Sequence, residues 1–552
     1  MSWPLLDRML AHPSPDSLPS PRTGSHFVMG SLRDRALRRA APVALVASVL
    51  LSGLGSPSGG THPDERLYLS LANEMQIQGT WMTPTLEGQP DFTKPPLLYW
   101  AARACTGIFG PRLWAARLPV AVCALLLALV AGRLARRFGG EPAFARGVLL
   151  VGTCLGLLRY GRLTMMDVPL ALALALAVDA VWSAVASRRP VLLLLVGLAA
   201  GLSALLKGPV GPLLVLGIGA GILAVRSPEL LRSWWAVAAV GLALIVSVPW
   251  FVAMALRHGM PFVDRFFLVE NLGKFAVPWT LGGEGWLVLS LLLLSLPWVL
   301  LVRWGAVGPD VRLVAGVWIG ITLLTFSLPG LKQLHYVVPC LVPFLLLAAV
   351  PAEPRTTPAR ITAALFAALV VAALAGLRIP FPAATRLGLL GAALLLGLGA
   401  VALWRLRPEA AATGFAGAVV LTLALVLPGL NPPPVPDAVW VSVGARPVAV
   451  WRQEPGVLEL LAHRPVHRVN DAAETAAAVA QGSPVMLPLP DYDALPPMIR
   501  NRLVPLVRWT RLRSRIGASE VVEALRTGSL ARVQEGMLLV VAAPAAPADA
   551  AR

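Results

Sequence analysis

Two short stretches of the 552-residue chain hold the side chains with the clearest chemical potential. In the first, Pro63-Asp64-Glu65-Arg66-Leu67-Tyr68 runs on to Leu71 and Met75. Apolar residues there recur at i, i+4 and i+8, which predicts a helix lying on a membrane surface and ended by Gly79. Asp64 stands at its start. It would cap the helix, with Glu65 favoured by the helix dipole, or act as a base toward a hydroxyl. The second stretch is Gly88-Gln89-Pro90-Asp91-Phe92-Thr93-Lys94-Pro95-Pro96-Leu97-Leu98-Tyr99-Trp100. Two prolines after Lys94 hold it extended and aim its ammonium group at a defined place. A lysine standing alone beside a bilayer is usually a snorkelling anchor. Lys94 does not stand alone.

The elements that must position these residues are membrane helices. Hydrophobic residues make up 57% of the chain and charged ones only 14%, a balance that no soluble domain of this size could keep in solution. Apolar runs recur along the first 430 positions, and about thirteen of them are long enough to cross about 30 Å of hydrocarbon as helices. They fall at roughly 40–57, 117–134, 143–160, 168–186, 190–206, 209–225, 233–253, 285–303, 311–328, 335–351, 361–377, 385–404 and 411–428. Between alternate runs stand arginines: Arg133, Arg136, Arg137 and Arg146, then Arg188 and Arg189, Arg226 and Arg232, Arg303 and Arg312, Arg355 and Arg360, and Arg405 and Arg407. With thirteen spans all of these share one side, which is then the cytoplasmic one. The net charge of +18 is therefore a topology signal and not a nucleic-acid footprint. Asp64, Lys94 and Asp167 lie on the opposite side.

Residues 1–39 read as a basic cytoplasmic tail and 40–430 as the membrane domain. Beyond the hinge Pro432-Pro433-Pro434, residues 431–552 change character. The β-type runs Pro447–Trp451, Pro484–Leu489 and Met537–Ala542 alternate with helical stretches such as Ala472–Ala480, which predicts a small extracytoplasmic α/β domain. His463, His467 and Asp491-Tyr492-Asp493 within it read as surface polar residues. The four cysteines Cys105, Cys123, Cys154 and Cys340 have no metal or disulfide spacing and read as small core residues.

An Asp-Glu pair after the first span, a Lys-Pro-Pro turn about thirty residues later, and Ala116-Arg117-Leu118-Pro119 opening the next span resemble the bacterial protein mannosyltransferase superfamily. Within it the chain is most similar to the aminoarabinose transferases that act on lipid A. The resemblance continues through Arg162-Leu163-Thr164-Met165-Met166-Asp167-Val168-Pro169, Leu206-Lys207-Gly208-Pro209, Asn271-Leu272-Gly273-Lys274-Phe275 and Lys332-Gln333-Leu334-His335-Tyr336-Val337-Val338-Pro339. It implies the C-type glycosyltransferase fold, an all-α polytopic membrane protein with surface helices roofing a cavity at the outer leaflet. It also implies transfer of a sugar from a polyprenyl-phosphate donor, such as an undecaprenyl-phosphate hexose or pentose, to a lipid, glycan or protein acceptor in the bacterial inner membrane. Asp64 and Asp167 would be the catalytic carboxylates. Lys94 would bind the leaving phosphate, with Tyr68, Lys207, Asn271, Lys274, Lys332 and Tyr336 as further donor-binding residues.

Two departures limit what carries over. Some aminoarabinose transferases hold zinc with an acidic residue before the Lys-Pro-Pro turn and a later histidine. Here the first position is Thr93, and Asn271 to Trp286 contains no histidine. No zinc site is expected, and a divalent cation remains an open cofactor. The position three after the first Asp, often arginine in those enzymes, is Leu67, so the sugar is not fixed. Two other classes would use many spans with few charges: a transporter or flippase for lipid-linked sugars, and a non-catalytic assembly protein. A transporter places charge or broken helices near mid-membrane, commonly in repeated halves, whereas this chain concentrates charge in its outer loops.

Overall fold

The computed structural model describes residues 39–56, 62–273, 283–330, 332–351, 355–430, 435–453, 455–462, 466–513 and 516–543. The expected Pro432–Pro434 hinge, the tail before Arg39, His463 and Lys274 lie outside the described residues.

An apolar helix α1 (Arg39–Leu51) opens the described chain. Two further helices, α2 (Pro63–Ile77) and α3 (Leu97–Phe109), flank a hairpin of β1 (Thr85–Leu86) and β2 (Gln89–Pro90). Its two turn residues, Glu87 and Gly88, both have positive φ, at 53° and 77°, which gives the right-handed twist that a two-residue hairpin needs. Then come α4 (Leu113–Gly139), α5 (Glu141–Gly152), α6 (Leu155–Tyr160), α7 (Asp167–Ser187), α8 (Leu193–Lys207), α9 (Val210–Arg226) and α10 (Trp234–His258). The membrane part continues with α11 (Gly283–Leu294), α12 (Pro309–Ser327), α13 (Leu341–Ala349), α14 (Thr356–Gly376), α15 (Ala383–Trp404) and α16 (Pro408–Leu421).

Among the described residues, 8 helices are long and apolar enough to cross a membrane. The other expected segments also hold helix, but shorter or interrupted. α5 gives way to α6 at Thr153-Cys154, where Leu155 donates its backbone N–H to the carbonyl of Leu296 at 2.8 Å and the Thr153 hydroxyl accepts the indole N–H of Trp298 at 3.0 Å. In lipid such a break persists only when neighbours meet the polar groups it exposes. The segment before α13 runs as a tighter turn over Leu334–Cys340, with Pro339 inside it.

Small residues bring the helices close. A Cβ on Gly197 of α8 would stand 2.2 Å from the carbonyl oxygen of Ala239 on α10, and one on Gly201 would stand 2.9 Å from that of Ala243. Glycines four apart let two helix backbones touch where no hydrophobic effect between lipid-like surfaces could drive association. At the arginine-bearing ends, ion pairs join neighbours: Arg133 to Asp179 at 2.8 Å, Arg146 to Glu409 at 3.0 Å and Arg226 to Asp310 at 3.3 Å. At its opposite end α4 packs on α3, which in turn packs on α2.

The C-terminal residues form a five-stranded mixed sheet of order β4-β3-β5-β7-β6. Its strands are β3 (Val448–Trp451), β4 (Val466–Val469), β5 (Val485–Pro488), β6 (Leu503–Leu512) and β7 (Gln534–Ala542). β3 is parallel to β4 and β5, while β7 is antiparallel to β5 and β6. The expected strands and the helix Ala472–Ala480 are present. β4 and β6 were not anticipated. β6 is an edge strand broken by a register shift at Pro505/Val507, a place where a proline that lacks a ladder donor is tolerated.

This domain rests on α2 through α17 (Gly456–Ala462). The N–H of Gly456 donates to Ser70 Oγ at 3.0 Å, and Asn73 Nδ2 donates to Glu459 Oε2 at 2.8 Å. Leu69, Leu113 and Ala116 pack with Val457 and Leu460 beneath these bonds.

Candidate active site

The start of α2 differs from the expected cap. His62 is the N-cap residue, extended at φ −110° and ψ 146°, and its Nδ1 accepts the N–H of Asp64 at 3.2 Å. Pro63 fits the first turn because its missing N–H would have no partner there. Burial holds the His62 imidazole below its usual pKa, against the pull of Asp64, so the ring stays neutral and able to accept. Asp64 is thereby relieved of capping, and its side chain is 40% exposed, with Oδ2 3.8 Å from His335 Nε2.

Glu65 does more than favour the helix dipole. It is fully buried and takes two parallel bonds from Arg117, Nε to Oε1 at 2.7 Å and Nη2 to Oε2 at 2.9 Å. The backbone N–H of Thr164 also donates to Oε1, at 3.0 Å. Arg117 Nη1 donates in turn to the carbonyls of Leu54 and Ser56. One buried, bidentate pair of this kind fixes the entry to α2 against α4 and against the turn that leads to Asp167.

Asp167 opens α7 and is nearly sealed from solvent; Lys207, the last residue of α8, reaches its Oδ1 at 2.6 Å. The helix stops there because Gly208 turns away at φ 69°, with Phe266 packed over it. Lys207 Nζ also lies 5.0 Å from the Tyr336 ring centre and 5.3 Å from that of Phe326, and these two rings stack at 4.8 Å. His335 Nε2 is 4.0 Å from Asp167 Oδ2, so the imidazole stands between the two acidic residues.

These groups face a cavity of about 360 Å³. Of the residues singled out from sequence, Asp64, Tyr68, Lys94, Asp167, Lys207, Asn271 and Tyr336 all line it. Lys332 does not, and Lys274 is outside the described residues. Lys94 Nζ donates to the carbonyl of Thr93 at 3.1 Å and lies 3.6 Å from Glu270 Oε2, while Glu270 Oε1 pairs with Arg265 at 3.1 Å. Asn271 Nδ2 donates to the carbonyl of Phe266 at 2.6 Å. Burial, with Asp64 nearby, pushes the Tyr68 phenol well above its usual pKa, so it faces the cavity as a neutral hydroxyl.

Sequence reasoning passed over His335 and Glu270. Both adjoin residues it did select, Tyr336 and Asn271, and only the folded chain turns them toward the carboxylate and the lysine. Thr93, the residue before Lys94, donates its hydroxyl to Asp91 Oδ1 at 2.5 Å.

Several known proteins resemble this chain in sequence and in fold. Residues 93–252 match the family described as dolichyl-phosphate-mannose-protein mannosyltransferase. The chain is 30% identical over 333 residues to an undecaprenyl phosphate-alpha-4-amino-4-deoxy-L-arabinose arabinosyl transferase of Pseudomonas fluorescens, covering 56% of this chain and 57% of that protein. It is 32% identical over 309 residues to one of Sodalis glossinidius, covering 52% and 54%. The crystal structure of ArnT from Cupriavidus metallidurans in the apo state superposes with a TM-score of 0.63 at 20% identity, over 93% of this chain and 98% of that one. The fold is that of ArnT.

The structure of the same ArnT bound to undecaprenyl phosphate gives a TM-score of 0.59 at 19% identity, over 94% and 98% of the two chains. The chain spans about half the length of the curated relatives it matches, 57% in the first of them. Its apolar helices and its ArnT-like fold mark it as a multi-pass membrane protein.

Proposed function

We propose that the protein is a glycosyltransferase that moves a sugar from an undecaprenyl-phosphate donor to an acceptor hydroxyl of a lipid, glycan or protein. The observation that carries this reading is a half-exposed carboxylate, Asp64, in one cavity with a lysine, Lys94, and a tyrosine, Tyr336. The names of the relatives, which transfer aminoarabinose from undecaprenyl phosphate, support the donor class.

Asp64 takes the proton of the acceptor hydroxyl as that oxygen bonds to the anomeric carbon of the sugar. The bond from that carbon to the phosphate oxygen breaks, and its electron pair leaves with the phosphate. Lys94 and Tyr336 hold the phosphate as this charge develops, an effect that contributes several kcal/mol in a site closed to water. Asp167 is the second carboxylate: it holds Lys207 over the Tyr336 ring and, through His335, borders Asp64. Tyr68 and Asn271 bind the donor from the cavity wall, and Lys332, next to the lining residue Gln333, adds positive charge nearby. The position of Thr93 takes no part in metal binding. The arginine-bearing ends support a cytoplasmic side there, with the cavity and the C-terminal sheet on the other side.

The test is a labelled undecaprenyl-phosphate sugar given to protein purified in lipid, with membrane extract as acceptor. Transfer that is lost in Asp64→Asn, in a variant that still inserts and folds, supports the reading. Donor that binds without turnover in any extract overturns it.

A further inference from the structure

Beside the active-site cavity, and sharing no residue with it, a second cavity of about 530 Å³ lies between α3, α4, α7 and α8. Its walls are almost wholly apolar, with Leu172 and Leu176 from α7 and Leu195, Leu198 and Leu202 from α8. Leu176, Leu195, Leu198 and Leu202 are exposed, so the groove opens sideways, where the surrounding medium is lipid. It begins under Leu97 and Leu98, just past the Lys94 turn, and follows α7 from Pro169 to Ser183. At 1.5 Å per residue that is about 21 Å, the scale of one extended fatty-acyl chain.

The far end is not apolar. Arg133, Asp179 and Ser183 form it. Asp179 pairs with Arg133 Nε at 2.8 Å and with Arg137 Nη2 at 3.3 Å, while Arg137 Nη2 also donates to Ser183 Oγ at 2.8 Å. Two guanidinium groups thus share one carboxylate, which leaves an excess positive charge at the mouth. Arg137 Nε is buried with no hydrogen-bond partner among the described residues, a condition that costs free energy unless an acceptor arrives. The Arg133 side chain is 53% exposed and able to turn toward one. Arg188 and Arg189 follow α7 on the same side and deepen the positive field.

We propose that this groove is a binding site for an anionic phospholipid, with one acyl chain along α7 and α8 and its phosphate between Arg133 and Arg137. A basic pocket between helices at the cytoplasmic side is a recurrent way of holding such headgroups. An isoprenoid chain entering from the active-site side would fill the apolar part and leave the arginine end unmet. The lipid would also brace α3, whose first residues follow Lys94, so its presence supports the placing of that lysine.

The probes are phosphatidylglycerol and phosphatidylcholine of the same chain length, titrated into delipidated protein and followed by native mass spectrometry and by melting temperature. The expected result is about tenfold tighter binding of phosphatidylglycerol. That preference should vanish in Arg133→Gln/Arg137→Gln and persist in Arg133→Lys/Arg137→Lys, which keeps the charge should the glutamine variant fold poorly. Leu198→Trp, which fills the groove and leaves the arginines in place, should weaken both lipids alike. Equal binding of the two lipids by the wild type, or a preference unchanged by the loss of both arginines, overturns the proposal. So does displacement of bound phosphatidylglycerol by undecaprenyl phosphate at a one-to-one ratio.

Discussion

Lys207 Nζ lies 2.6 Å from Asp167 Oδ1 where the side chains are 14% and 3% exposed. A buried pair of this kind adds little net stability, but removing one member leaves the other charge stranded, at a cost of about 3 to 5 kcal/mol. Asp167→Asn and Lys207→Met should each lower the melting temperature in lipid, and the double substitution should lower it less than either alone. Transfer should be lost in all three, because Asp167 also positions the groups around Asp64. A double variant that regains turnover would reduce Asp167 to a counter-ion.

Lys94 should matter to binding before it matters to chemistry. Its Nζ lies 3.6 Å from Glu270, so it is held over the cavity and not spread along the bilayer. Lys94→Ala should weaken undecaprenyl phosphate by about ten- to a hundredfold, the worth of one charge-assisted hydrogen bond. Lys94→Arg should recover part of it. Equilibrium binding with unlabelled carrier lipid reads this directly, and equal affinity in all three proteins would return Lys94 to the role of a membrane anchor.

Glu65 and Arg117 make a prediction about position. Glu65 is fully buried and accepts from Arg117 and from the backbone of Thr164, so it ties the start of α2 to the chain just ahead of Asp167. Arg117→Lys keeps the charge but cannot make two parallel bonds. It should reduce turnover while leaving the affinity for undecaprenyl phosphate near wild type, since Lys94 lies on another element. A parallel loss of both would show that α2 does not move independently of the donor site.

How much of this was legible in advance varied with the physics. The membrane helices were read from apolar length, because lipid forces each such segment into a helix whatever its neighbours do. Lys94 stands out because Pro95 and Pro96 stiffen the turn after it, and Asp64 and Asp167 because the motifs around them resemble those of the aminoarabinose transferases. Of the two readings of Asp64, the capping one fails, since aspartate is the commoner capping residue and nothing in the local pattern says that His62 will be extended and buried enough to replace it. His335 was seen only as a neighbour of Tyr336, and its place between two acidic residues depends on three elements far apart in sequence. In the C-terminal domain, β3, β5 and β7 carry apolar runs that show as strands, whereas β6 carries Arg508, Arg511 and Pro505 on an exposed edge and does not.

The contact of the C-terminal domain with α2 gives a pH-dependent prediction. Glu459 accepts from Asn73 and from the backbone of Val466, yet burial dominates and raises its carboxyl above the usual range. A raised acid favours the folded state fully below its ordinary pKa of about 4.3, where it is protonated whether folded or not. That contribution is lost as pH climbs through the raised value, because the folded protein must then keep a charge in a poorly solvated place. Glu459→Gln removes the ionisation and retains an acceptor for Asn73. Its melting temperature should match wild type near pH 4 and rise above it toward neutral pH. Gly456→Val should separate the domain from α2 at every pH, since a Cβ there would stand 2.4 Å from the backbone nitrogen of Ser70. Limited proteolysis between α16 and β3 should then release the sheet domain faster from this variant than from wild type. An unchanged cleavage rate would mean that α17 does not hold the domain on α2.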